Sequence, residues 1–128
     1  METGLKGKRA LVLGASKGLG FGIAQGLVEE GARVAIASRT MEGSKAAADR
    51  IGKDVVSFVC DTGKVDQVDA LVKDVTAAFG GVDILVLNSG GPPPGKAQGV
   101  SSDQWRQSFD AMFVNLVRIA DQLLPGMI

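Results

Sequence analysis

The sequence lacks histidine and tyrosine entirely, and it has a single cysteine among its 128 residues. The absence of histidine excludes an imidazole base, Ser-His-Asp and Cys-His nucleophiles, and histidine metal sites, so no metal site is predicted in this chain. One cysteine excludes a disulfide within the chain. Cys60 lies in an apolar run, where we interpret it as a small core residue rather than a reactive thiol.

The sequence also lacks an excess of charge of either sign, and it lacks a long apolar run. The 14 basic residues balance the 14 acidic ones, so the overall charge does not favour nucleic acid or an anionic membrane as a partner. No apolar run approaches the ~20 residues of a membrane span, and the N-terminus has no signal-peptide pattern. We therefore expect a cytoplasmic protein of one domain, whose partner is a small molecule or another protein.

Short β-branched runs alternate with longer segments of helical period, which is typical of β-α-β units that wind a parallel sheet. The predicted strands are residues 9–14, 33–38, 55–60 and 82–88, and the predicted helices are residues 19–30, 41–52 and 64–79. Right-handed crossovers then give an α/β, Rossmann-type sheet of strand order 3-2-1-4 with helices on both faces.

A loop reading SGGPPPGKAQG follows the fourth strand, and its glycines and prolines exclude regular structure. A last helix is predicted after it, with Ser101 or Ser102 as the N-cap. This helix runs to about Leu124 and is expected to end at Pro125 and Gly126.

The link between the first strand and the first helix reads LGASKGLG, with Gly14, Gly18 and Gly20 spaced G-x-x-x-G-x-G. Glycine lets the backbone approach a ligand closely, and the free N–H groups at the start of a helix favour a phosphate. A P-loop would need a lysine and a hydroxyl after its last glycine. The spacing predicts a turn that holds a pyrophosphate, and a plain tight βα turn is the alternative.

This turn, together with LNSGG after the fourth strand, resembles the short-chain dehydrogenase/reductase family along nearly the whole chain, most of all its 3-oxoacyl thioester reductase branch. The resemblance implies that residues 1–128 are an NAD(P)-binding Rossmann domain. The cofactor-binding residues it implies, besides those at the end of the second strand, are Gly14, Ser16, Lys17, Gly18, Leu19, Gly20, Asp61, Thr62, Asn88, Ser89 and Gly90. Asp61 would bond the adenine amino group, and an Asp that stabilises a turn is the alternative.

The end of the second strand indicates which dinucleotide binds. An NAD-specific site needs an Asp or Glu there for the ribose 2′-hydroxyl, whereas this sequence has Ser38, Arg39 and Thr40. The Arg39 guanidinium fits a 2′-phosphate, with the two hydroxyls as donors and Lys17 as a second positive charge. This pattern favours NADP(H) over NAD(H). The alternative is that Arg39 and Lys17 are solvated surface residues.

Asn115 is a polar residue inside the apolar helix segment MFVNLVRI. It matches the family's helix asparagine, which holds a water in a proton relay to the catalytic lysine. The alternatives are a local solvated position or a bond back to its own helix. The family transfers a hydride between the nicotinamide and a carbonyl or alcohol carbon, with a Tyr as general acid, a Lys that lowers its pKa, and a Ser that polarises the substrate oxygen.

Because no tyrosine is present, the sequence contains no Tyr-x-x-x-Lys. We interpret it as the N-terminal half of a reductase of small carbonyl compounds, truncated after the fourth helix and inactive alone. Two other functions stay open: a binding module without catalysis, and a structural remnant without cofactor.

The last helix is apolar nearly all round, and in family members it commonly packs in a subunit interface, so we expect a homo-oligomer. Its apolar residues are Trp105, Phe109, Met112, Phe113, Leu116, Ile119, Leu123 and Leu124.

Overall fold

The structure is a computed structural model that describes residues 3–88 and 99–127. In these ranges, strands and helices alternate from β1 to β4, and two further helices, joined by a π-helical segment at Asp110–Val114, complete the fold. The strands are β1 Arg9–Leu13, β2 Arg33–Ser38, β3 Val56–Val59 and β4 Ile84–Val86. The helices are α1 Gly18–Glu29, α2 Met41–Ile51, α3 Val65–Phe79, α4 Ser102–Phe109 and α5 Asn115–Met127.

The four strands form one sheet of order β3-β2-β1-β4, and every pair is parallel. The predicted order is therefore confirmed. Because the strands all run in one direction, the segments that follow them lie at one edge of the sheet. The glycine turn, the end of β2, the loop after β3 and Asn88 are thereby brought to the same side, which is where open α/β sheets bind ligands.

Helices cover both faces of the sheet, as the alternation of side chains along β1 shows. Leu11 and Leu13 belong to a buried cluster with residues of α3 and α5. Ala10 and Val12 belong to a second cluster with residues of α1 and α2. Successive residues of a strand point to opposite faces, so a strand that is apolar at every position is buried on both sides. The predicted two-sided Rossmann-type fold is confirmed.

The outer strands are shorter than predicted and less buried than β1 and β2. In β3, Val56 and Val59 are 36% and 40% exposed. Cys60 lies just beyond β3 and donates its backbone N–H to the Ser38 carbonyl at 2.8 Å. Burial raises the pKa of the Cys60 thiol to about 11, in keeping with a core residue. Within the described ranges, β4 pairs only with β1.

The prediction of one last helix that ends at Pro125 is wrong in two respects. A π-helical segment separates α4 from α5, and α5 continues to Met127 with Pro125 inside it. Proline lacks an N–H, so it removes one hydrogen bond from a helix interior. Pro125 lies in the final turn of α5, where Asp121, four residues earlier, is exposed and water can bond its carbonyl. The helix therefore tolerates this proline.

The last helices have one buried face and one exposed apolar face. On the buried face, Leu116, Ile119 and Leu123 of α5 belong to the apolar cluster that α3 and α5 form with the sheet. The phenyl rings of Phe109 and Phe113 stack with centroids 5.3 Å apart, and both side chains are more than half exposed. No helix in the described part of the chain is long and apolar enough to cross a membrane.

Candidate cofactor site

The glycine turn is packed too tightly for side chains at two of its positions. Gly14 has a positive φ of 61°, and a Cβ on it would lie 2.8 Å from the side-chain nitrogen of Asn88. A Cβ on Gly20 would lie 2.2 Å from the carbonyl oxygen of Gly14. Asn88 Nδ2 donates a hydrogen bond to that same carbonyl at 3.2 Å. These contacts hold the end of β1, the start of α1 and the end of β4 together.

The rim of this turn is open to solvent. Ser16 is half-buried, whereas Lys17 and Gly18 are exposed and Leu19 is 73% exposed. Lys17 is the N-cap residue of α1, and its side chain forms no capping hydrogen bond to the helix. The first turn of α1 contains no acidic residue. Uncapped N–H groups and the positive end of the helix dipole make this rim suitable for a phosphate.

The residues at the end of β2 lie beside the glycine turn. Ser38 is 8% exposed, and its hydroxyl donates to the Thr40 carbonyl at 3.1 Å. Thr40 Oγ1 accepts the Gly43 N–H at 3.1 Å and so caps α2. The hydroxyl proton of Ser38 is therefore already engaged, whereas that of Thr40 donates to no acceptor among the described residues.

Two cations stand at this end of the sheet without a carboxylate partner. Arg39 and Lys17 are both exposed, and neither forms an ion pair with any carboxylate in residues 3–88 and 99–127. The last residues of β2 and the first of the following link carry no acidic side chain. The end of β2 therefore presents a basic side chain and no carboxylate before Glu42, in the first turn of α2.

Asp61 is engaged in its own turn after β3. Its Oδ1 accepts the Gly63 N–H at 2.9 Å, and its backbone N–H donates to Gln67 Oε1 at 2.8 Å. This is the turn-stabilising alternative that the sequence left open. Its second carboxylate oxygen, Oδ2, accepts no hydrogen bond from the described residues, so a role towards the adenine stays a prediction.

Asn115 is buried at the start of α5, 3% exposed. Its Nδ2 donates to the backbone carbonyl of Thr62 at 2.5 Å, across 53 positions of sequence. The side chain thus neither faces solvent nor bonds its own helix, and it ties α5 to the loop after β3. The backbone N–H of Asn115 bonds the Asp110 carbonyl, which closes the π-helical segment. Such segments are frequent at functional sites.

The structure brings the predicted residues of the turn, of the end of β2 and of the loop after β3 to one edge of the sheet. Asn88 joins them, and its side chain bonds the turn itself. Ser89 and Gly90 lie outside the described residues.

The sequence analysis missed one position beside the predicted cofactor-binding residues. Gly43, in the first turn of α2, has Ser16 and Ser38 as neighbours of the Cβ it lacks. A glycine inside a predicted helix was the signal.

Comparison with known proteins places the whole chain in one family. The model for short chain dehydrogenases matches residues 8–128. The chain is 32% identical over 123 residues to the 3-oxoacyl-(acyl-carrier-protein) reductase FabG of Vibrio cholerae, covering 96% of this chain and 50% of that protein. It is 36% identical over 106 residues to galactitol 2-dehydrogenase of Agrobacterium fabrum, covering 83% and 41%. The chain therefore spans half or less of the length of these relatives.

Solved structures match the fold over the same extent. L-Sorbose reductase from Gluconobacter frateurii, complexed with NADPH and L-sorbose, superposes with a TM-score of 0.86 at 32% identity, over 99% of this chain and 50% of that one. The 3-ketoacyl-(acyl-carrier-protein) reductase from Brucella melitensis, complexed with NADH, superposes with a TM-score of 0.85 at 34% identity, over 94% and 50%. Because the family match runs from before β1 to beyond α5, the chain belongs to the short-chain dehydrogenase family.

Proposed function

We propose that this chain is the cofactor-binding half of an NADP(H)-dependent oxidoreductase that transfers a hydride to the carbonyl carbon of a small substrate. The observation that carries the proposal is the open glycine turn beside Lys17 and Arg39, two cations without an ion pair among the described residues, with no carboxylate at the end of β2. An NADPH-bound relative of the same fold favours the same cofactor, although another was solved with NADH. The choice of NADP(H) therefore depends on the residues of this chain.

The residues present fit a dinucleotide. The missing side chains at Gly14 and Gly20 keep the turn compact, and the uncapped start of α1 offers N–H donors to a pyrophosphate. Arg39 and Lys17 would hold a 2′-phosphate, with the Thr40 hydroxyl as a further donor. Asp61 would accept a bond from the adenine amino group through its free carboxylate oxygen. When bound, the nicotinamide provides the hydride.

Within these 128 residues there is no tyrosine to act as general acid. We therefore propose that the chain alone binds the cofactor without turnover, and that the acid and the groups that polarise the substrate come from outside this sequence. For Asn115 we propose the relay role, with its amide fixed by Thr62. A catalytically inactive dinucleotide-binding module is the second candidate function, and the absence of tyrosine is the observation that favours it.

We propose a 3-oxoacyl thioester as the substrate class, since relatives with that activity in their names match nearly the whole chain. The competing class is a sugar ketone or polyol, as in L-sorbose reductase and galactitol 2-dehydrogenase. The two classes differ in charge and length, so activity of a full-length protein with each would separate them.

We further propose that the chain forms a homo-oligomer through the exposed apolar side of the last helices. Trp105, Phe109 and Phe113 are each more than half exposed. Trp105, Phe109 and Phe113 recur four residues apart, and several exposed aromatic side chains on one helical segment mark an interaction surface. Burying one Phe side chain contributes roughly 1.5–3 kcal/mol, so these residues would contribute to association together with the other exposed apolar side chains of the last helices.

Calorimetric titration with NADPH and NADH tests the cofactor proposal. We expect the chain to bind NADPH more tightly, because the 2′-phosphate would face the positive charges of Arg39 and Lys17. In Arg39→Asp, the NADPH affinity should fall by about tenfold or more while the NADH affinity holds or rises. Lys53→Asp is the matched control, since Lys53 is exposed between α2 and β3, at the opposite edge of the sheet. Equal affinities in the unmodified chain would contradict the NADP(H) preference.

A further inference from the structure

Gly43 lies in the first turn of α2, between residues that belong to the proposed cofactor site. Its N–H bonds Thr40 Oγ1, and the residue itself is half-buried. Glycine inside a helix costs roughly 0.5–1 kcal/mol relative to alanine. Gly43 has a helical backbone without positive φ, so the backbone conformation does not require glycine. The reason for a glycine here must lie in the space around it.

The space that a side chain would fill at position 43 faces the cofactor site. A Cβ there would lie 3.7 Å from the Ser16 Cβ and 3.8 Å from the Ser38 Oγ, which are ordinary contact distances. It would also lie 3.0 Å from Thr40 Oγ1, so that hydroxyl would need to shift by a few tenths of an ångström. A methyl group at position 43 would therefore occupy the gap between the glycine turn and the end of β2.

We infer that Gly43 is a specificity-determining residue of the cofactor site: its missing side chain leaves room for the phosphate on the ribose 2′ position. The inference rests on the proposed function. Three of the predicted cofactor-binding residues, Ser16, Ser38 and Thr40, surround this gap. Arg39, proposed to hold the 2′-phosphate, lies between the last two in sequence. A dinucleotide with a bare 2′-hydroxyl needs less of this room.

Gly43→Ala tests the inference, because alanine favours the helix and its Cβ fills the gap, with a shift of Thr40 Oγ1 by a few tenths of an ångström. We would titrate the unmodified chain and the variant with NADPH, NADH, adenosine 2′,5′-bisphosphate and 5′-AMP by calorimetry. We expect the variant to bind NADPH and the bisphosphate about tenfold more weakly, and NADH and AMP less than about threefold more weakly. Gly26→Ala is the matched control, since Gly26 is in α1 and a Cβ there meets no atom within 4 Å. It should change none of the four affinities.

Equal weakening of all four ligands by Gly43→Ala would overturn the inference, because it would indicate a general role in the cap of α2. Unchanged affinities would overturn it as well. Binding of neither dinucleotide to the unmodified chain would instead contradict the proposed function, and the inference with it. Thermal unfolding of both variants without ligand gives the second readout: a folded Gly43→Ala with an altered NADPH to NADH ratio supports a role towards the phosphate.

Discussion

At the scale of single residues, the centre of the site is a close-packed group formed by Gly14, Gly20 and Asn88. The two glycines leave no room for a Cβ, and the Asn88 side-chain amide donates a hydrogen bond to the Gly14 carbonyl. The G-x-x-x-G-x-G spacing predicted the importance of the glycines, because only glycine permits such approach. The partner of Asn88 was not predictable, since a bond across 74 positions depends on how the strands pair.

Two variants with the same substitution, Gly20→Ala and Gly22→Ala, test this packing at positions two residues apart. At Gly20 the new Cβ would meet the Gly14 carbonyl at 2.2 Å, whereas at Gly22 it meets no atom within 4 Å. We expect Gly20→Ala to lower the free energy of unfolding by roughly 1–3 kcal/mol, because the backbone must shift. Gly22→Ala should raise it by roughly 0.5–1 kcal/mol, because alanine is the better helix former. Urea unfolding of both variants measures the difference, and equal effects would refute the tight turn.

At the scale of elements, the strands and helices were predictable because each carries its own periodicity, whereas their ends were not. The outer strands are shorter than their apolar runs, since strand bounds depend on pairing. The π-helical segment before Asn115 was also missed. It follows from packing, because the Asn115 side chain bonds Thr62 in a loop distant in sequence. No local pattern indicates such a contact.

An ion pair joins β1 to β4 at the amino edge of the sheet. Arg9 donates to Asp83 through its backbone N–H at 2.9 Å and through its guanidinium at 3.1 Å. The hydrogen bonds from the Arg9 side chain, and then from its backbone, lower the pKa of Asp83 to about 2. The guanidinium also donates to the Phe79 carbonyl at 3.3 Å, which links the end of α3 to the same strand.

Acid should therefore weaken the sheet. A carboxyl whose pKa is lower in the folded state contributes stability that is complete above its unfolded pKa of about 4 and is lost as the pH falls towards its folded pKa. We expect the urea midpoint to drop as the pH falls from about 5 to about 2, and Asp83→Asn to lose part of that dependence. Asp74→Asn is the control, because Asp74 is exposed and has no ion pair within the described ranges. An identical pH profile for Asp83→Asn and the unmodified chain would contradict this account.

At the scale of the whole molecule, the α/β class, the strand order and the two covered faces could be predicted from the sequence. They follow from the alternation of apolar runs and from the handedness of β-α-β crossovers. The sequence indicates only in part which apolar surface of the last helices stays exposed to solvent. The last helix was predicted to be apolar nearly all round, and the structure shows which side is buried, with Leu116, Ile119 and Leu123 inward.

The exposed apolar side of the last helices predicts association. Sedimentation velocity at micromolar concentration should give a mass above the 13.2 kDa of one chain. A double variant, Phe109→Ser and Phe113→Ser, should shift the protein towards the monomer, because both rings are more than half exposed and lie on the side of the last helices that is proposed to associate. Met41→Ser, at an exposed apolar residue of α2, is the control and should leave the mass unchanged. A monodisperse monomer of the unmodified chain would contradict the proposed homo-oligomer.

We infer that the glycine turn between β1 and α1, together with the end of β2, holds the dinucleotide. Amide NMR of the isotopically labelled chain, titrated with NADPH, tests it most directly, since each backbone N–H reports on its own surroundings. We expect saturable shifts concentrated at Ser16–Gly20 and Ser38–Gly43, with little change at Lys53, at the opposite edge of the sheet. An absence of shifts, or shifts centred away from the glycine turn, would contradict it.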